Sequence, residues 1–166
     1  MPDDEYVQPA FTADRGRLHL EARYNYEGRD TASAWVGLNL GGGQTVAWEL
    51  TPMVAAVFGQ SDGVAPGYRG SLGWRRLELY SEGEYVFDAG GSQNNFFFNW
   101  SELTVAPVDW LSLGLVTERT RVYQTERELQ RGLMARVSWK NLELAGYVFD
   151  PDDDDPTVVV AAVLGF

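Results

Sequence analysis

RLHLEARYNYE, residues 17–27, alternates without interruption. Leu18, Leu20, Ala22, Tyr24 and Tyr26 fall on one parity; His19, Glu21, Arg23, Asn25 and Glu27 fall on the other. Successive side chains of an extended strand point to opposite faces, so this stretch is a strand with one carbon-rich and one charged face. The same split recurs in LELYSEGEYVF (77–87), in GLMARVSW (132–139) and in NLELAGYVF (141–149). Helical spacing is hard to find over any long window, and the chain reads as all-β.

Turn signals divide the chain into about ten strands, at 17–27, 31–40, 44–58, 66–75, 76–88, 94–106, 110–122, 131–139, 141–149 and 157–166. Counts of eight or twelve also fit. Tight links at GGG (41–43), 74–76, APVD (106–109) and 139–141 alternate with longer polar ones at GQSDGVAP (59–66), DAGGSQN (88–94), YQTERELQ (123–130) and DPDDDDP (150–156). EGRD (27–30) is short where a long link is expected. Pro52 inside the third strand lacks a ladder N–H, which predicts a bulge or break there. Residues 1–16 read as an extension preceding a sheet of 17–166.

At 166 residues the chain makes one domain. Its net charge of -11 excludes a nucleic-acid partner, which needs a basic stripe. With no cysteine there is neither a disulfide framework nor a thiolate metal site. The start, MPDDEY, has neither the basic nor the apolar region of an export signal, and no run reaches the length of a spanning helix. Lys140 is the only lysine, so the charged face consists of glutamate and arginine, which suits an enclosed polar network.

Alternation alone does not say which face meets solvent. Four of the six tryptophans, Trp48, Trp74, Trp110 and Trp139, lie beside the predicted short turns, as an interfacial aromatic girdle would. If the carbon-rich face meets lipid, that face carries Leu18, Leu20, Leu77, Leu79, Leu111, Leu113, Leu115, Leu133, Leu142, Leu144, Val158, Val160 and Leu164. The inward face then carries Glu21, Arg23, Glu49, Arg69, Glu78, Glu82, Glu84, Glu102, Glu118, Arg136 and Glu143, with Arg69 opposite Glu82 across a hairpin.

The chain ends on TVVVAAVLGF (157–166), in which Val158, Val160, Ala162, Leu164 and the terminal Phe166 share a parity. This stretch resembles the C-terminal assembly signal of bacterial outer-membrane β-barrel proteins. The resemblance implies a closed antiparallel up-and-down transmembrane barrel in the bacterial outer membrane, with Phe166 read by the assembly machinery and the short turns on the periplasmic side. A barrel of about ten strands has a narrow lumen largely filled by side chains. The implied role is structural or surface-related, or that of a small channel whose glutamate excess prefers cations.

Barrel enzymes of that membrane use histidine near the outer rim or lipid face, whereas the single histidine, His19, falls near the periplasmic start of the first strand. The chain is therefore read as a non-enzyme without cofactor, and a barrel hydrolase using His19 is the lesser reading. Glu82 and Glu84 form a polar wall, and DPDDDDP is a solvated acidic tip that lacks the spaced ligands of a calcium loop. Arg119, Arg121 and Arg131 fall on the outward parity with Arg127 in the loop between, a guanidinium patch suited to lipopolysaccharide phosphates or to pairing with Glu126 and Glu128. The competing fold reading is a soluble lipocalin-like barrel with the leucines lining a ligand cavity and the glutamates in water.

Overall fold

The computed structural model describes residues 7–122, 128–153 and 156–165. Its strands are β1 (Ala10–Arg15), β2 (Leu18–Tyr24), β3 (Thr31–Leu38), β4 (Leu40–Gly42), β5 (Ala47–Gly59), β6 (Gly63–Trp74), β7 (Leu77–Asp88), β8 (Phe96–Val108), β9 (Leu111–Val122), β10 (Glu128–Trp139), β11 (Leu142–Phe149) and β12 (Thr157–Leu164). They form one 12-stranded antiparallel sheet in which each strand lies beside its sequence neighbours, except that short β4 pairs only with β5. No ladder joins β1 to β12 among the described residues, so the sheet has two edges.

The strand positions match the expected ones except at the start and at the turns. Residues 10–15, read as part of an extension, form β1 and pair with β2 from Ala10↔Arg23 to Arg15↔Leu18. The alternation there was hidden because only Phe11 is large and apolar. The long link expected at 59–66 shrinks to 60–62, because β6 begins at Gly63 and pairs with Val57. Gly41 and Gly42 belong to β4, so the turn lies at 43–46 and not on the GGG run itself. The link expected at 106–109 moves to 109–110, after a register shift between Val105 and Val108.

Pro52 does not break its own strand. The interruption falls on the neighbour, where β3 stops pairing at Gly37↔Met53 and β4 resumes at Leu40↔Leu50. Leu38 thus stands opposite Pro52, which has no N–H to give, and Asn39 opposite Thr51.

Two-residue turns at 75–76 and 140–141 place Arg75 and Lys140 at φ +56°, a region in which L-residues are strained. The 16–17, 43–46, 75–76, 109–110 and 140–141 links share one rim, and the 25–30, 60–62, 89–95 and 150–156 links share the other.

Burial follows the alternation with inverted sense. Along β2, Leu18 and Leu20 are 41% and 45% exposed, while His19, Glu21 and Arg23 are 3%, 5% and 5% exposed. Outward apolar residues line up across the sheet, as in the row Trp48, Leu72, Leu79, Leu103, Leu115, Leu133, Val148 and Val158, which runs from β5 to β12 and is exposed throughout except at half-buried Val148. Inside, one apolar cluster joins Trp35, Met53, Ala55, Val57, Ala65 and Val86. A second joins Val116, Met134, Ala145, Tyr147 and Phe149, with Trp100, Val159 and Ala161 packed against it.

Candidate functional site

The buried face carries two ion-pair networks. The first starts from the parity of β2, which points His19, Glu21 and Arg23 to the same side. His19 Nδ1 lies 2.8 Å from Asp14 Oδ1 on β1, and its Nε2 lies 3.2 Å from Glu21 Oε2. Arg23 Nε donates to Glu21 at 2.8 Å and its NH1 donates to Glu84 on β7 at 3.0 Å. Arg69 on β6 donates to both Glu21 oxygens at 3.2 and 3.1 Å, and its Nε lies 3.5 Å from Glu82. Tyr80 donates to Glu82 at 2.7 Å. Within the sheet, β2 and β7 are separated by β3, β5 and β6, so the Arg23–Glu84 bond requires the sheet to curl over its charged face.

The Arg23 guanidinium also sits between two rings, 5.1 Å from the Tyr26 centroid and 4.6 Å from Trp35. A weakly hydrated planar cation between aromatic faces retains attraction where water is excluded. Glu27 Oε1 accepts from Ser33 at 2.6 Å and from Trp35 at 3.3 Å, while its Oε2 is buried without a partner among the described residues. Burial, followed by the Glu82 carboxylate, pushes the Tyr26 hydroxyl above the usual tyrosine range.

The second network centres on Glu102 of β8, which accepts from Trp100 at 2.9 Å, from Tyr147 of β11 at 2.9 Å and from Arg136 of β10. Trp100 packs edge-on against Tyr147 and Phe149, with centroids 5.0 and 5.4 Å away. Toward the short-turn rim this network opens into a cavity of about 350 Å³ whose walls include Glu78, Thr104, Ser112, Arg136 and Glu143.

The expected inward set is thus divided. Glu21, Arg23, Arg69, Glu82 and Glu84 meet in the first network and Glu102 and Arg136 in the second; the expected Arg69↔Glu82 register is present. Glu118 is half-buried. Glu49, Glu78 and Glu143 are exposed at the short-turn rim, outside the enclosed network where the sequence placed them, because the strands end there.

Of the expected apolar set, Leu111 and Leu142 are half-buried and the rest are exposed, as are Trp48, Trp74, Trp110 and Trp139. Arg119 is half-buried and Arg131 exposed. The Arg121 side chain, Arg127 and Phe166 lie outside the described residues.

Sequence reasoning missed Asp14, Tyr147 and the two inward tryptophans, Trp35 and Trp100. Glu27 was signalled, since it shares the parity of Glu21 and Arg23. Both His19 nitrogens lie within hydrogen-bond distance of carboxylates. Among the described residues no group of three His, Asp or Glu side chains converges to hold a metal ion. Comparison with protein-family models, with curated proteins and with solved structures gives no match.

Proposed function

We propose that this chain is an integral β-barrel of the bacterial outer membrane whose interior is sealed by side chains, with a structural or surface role and no catalysis. One observation carries the reading: ion pairs are buried while leucines on the alternate positions of the same strands are exposed. A lipocalin-like barrel needs the reverse, with leucines around a dry cavity. The tryptophans of the short-turn rim fit a membrane interface, and hydrocarbon has no water for the free edges of β1 and β12, so a bilayer favours their closure. The sheet of 17–166 gains β1 in this reading, and assembly machinery reading the terminal strand is its expected partner during biogenesis.

Narrow cation-preferring conduction is the second reading. It is favoured by Glu78 and Glu143, which form no ion pair among the described residues and line the opening at the short-turn rim together with Arg75, Arg76 and Arg136. The deciding experiment is detergent dependence: the purified chain is expected to need detergent and to migrate differently on a gel before and after boiling. A monomer fully soluble in plain buffer would refute the membrane reading.

A further inference from the structure

The outward apolar rows are interrupted on β6, β7 and β8. There Tyr68 of β6, Ser81 of β7 and Asn99 and Ser101 of β8 bond to one another on the exposed face. Tyr68 and Ser81 hydroxyls are 3.1 Å apart, and Ser81 and Ser101 hydroxyls 2.9 Å. Asn99 donates to the Tyr68 hydroxyl at 3.1 Å and to the Glu82 carbonyl at 2.8 Å. Gly83 makes room for them, since a Cβ there would lie 3.0 Å from the Tyr68 ring and 3.2 Å from Asn99 Nδ2. Polar groups facing hydrocarbon are costly, and this set has satisfied its neutral members internally.

Two arginines adjoin it. Arg119 of β9 pairs across from Asn99, its guanidinium 5.8 Å from the Phe97 ring and its Nε buried without a hydrogen-bond partner among the described residues. Arg131 of β10 pairs with Thr117, one outward position below Arg119, and its guanidinium makes no ion pair among the described residues. The nearby Asp150 carboxylate accepts the Arg131 backbone N–H at 3.2 Å. Just below, Leu77, Leu103, Val105, Leu113 and Leu115 line a shallow apolar groove of about 350 Å³. From Leu115 to Arg119 the strand climbs only about 13 Å.

We propose that this patch binds a phosphate-bearing amphiphile. Phosphate oxygens accept from Arg119 and Arg131, and an acyl chain lies in the leucine groove. The proposal rests on the membrane reading and narrows the partner expected at these arginines to a phospholipid-like molecule held by a two-part site. Guanidinium forks favour phosphate over a zwitterionic choline headgroup, whose own cation already compensates the phosphate.

The test is native mass spectrometry of the full chain released from detergent micelles containing either dioleoyl phosphatidic acid or dioleoyl phosphatidylcholine. Wild type is expected to retain phosphatidic acid. The double variant Arg119→Gln/Arg131→Gln should lose at least about tenfold in apparent affinity, and Leu103→Ala/Leu113→Ala should lose several-fold. Arg119→Lys, which keeps the charge and loses the fork, should fall between. Unchanged retention by the double arginine variant would overturn the site, as would displacement of the lipid by inorganic phosphate at equal concentration. Partitioning of these variants into pure phosphatidylcholine vesicles reports the membrane reading separately, and is expected to match wild type.

Discussion

Replacing Glu21 by alanine should damage this protein more than any other single removal of a carboxylate. Glu21 is 5% exposed and holds two guanidiniums and the His19 ring at distances of 2.8 to 3.2 Å. Breaking a buried ion pair by removing one partner costs about 3–5 kcal/mol, because the other charge stays buried without compensation. Here Arg23 retains Glu84 and Arg69 retains Glu82, which places the expected cost near the lower end, at about 3 kcal/mol. With a urea slope of about 1–3 kcal/mol/M the unfolding midpoint falls by about 1–3 M. The assay is reversible urea unfolding in lipid or detergent followed by tryptophan fluorescence, for which Trp35 is a local reporter, 4.6 Å from the Arg23 guanidinium. Glu49→Ala is the control: Glu49 is exposed at the rim and the change should stay within about 0.5 kcal/mol. A Glu21→Ala cost under about 1 kcal/mol, or an equal cost at Glu49, would refute a buried charged interior.

Leu115→Arg, in the middle of an exposed apolar row, should cost about 2–4 kcal/mol when unfolding is measured from lipid vesicles; an effect within about 0.5 kcal/mol would be that of an ordinary water-facing position. Gly59→Ala should destabilise by about 1–3 kcal/mol in the same assay, since Gly59 sits at φ +130° with the Asp30 carbonyl where a Cβ would go. Lys140→Asn should raise stability by about 0.5 kcal/mol, because the turn holds residue 140 at φ +56° and Asn tolerates that region better than Lys.

The strands were legible because nearly every one repeats the period of RLHLEARYNYE, and parity then carried Glu21, Arg23, Arg69, Glu82, Glu84, Glu102 and Arg136 to one face. Glu102 lies at the centre of the second network, where it accepts from Trp100 and Tyr147. Parity says nothing about height along the strand, so it could not separate the enclosed Glu21 from the rim glutamates Glu49, Glu78 and Glu143. Nor does it foresee which strands face one another once the sheet curls, and for this reason Arg23–Glu84 and Glu102–Tyr147 were not anticipated. β1 was missed because six residues with one large apolar side chain carry little periodic signal; it is held by its ladder with β2 and by the contact of His19 Nδ1 with the Asp14 carboxylate, both contacts between strands.

The inverted faces also say where stability must come from. A buried ion pair repays its desolvation only with good geometry, so Glu21, Arg23, Arg69 and Glu84 are better read as fixing which strands meet than as the main stabilising term. In water the exposed row from Trp48 to Val158, spanning eight strands at about 4.8 Å each and repeated by Trp74, Leu77, Val105 and Leu113, would be a patch far larger than soluble monomers carry. Turning that face inward would force every carboxylate of the first network outward in the same step, because a one-residue slip exchanges the whole of both faces. On the membrane reading proposed above, a bilayer favours leucine outside and leaves backbone groups no alternative to the ladder, which holds the present register.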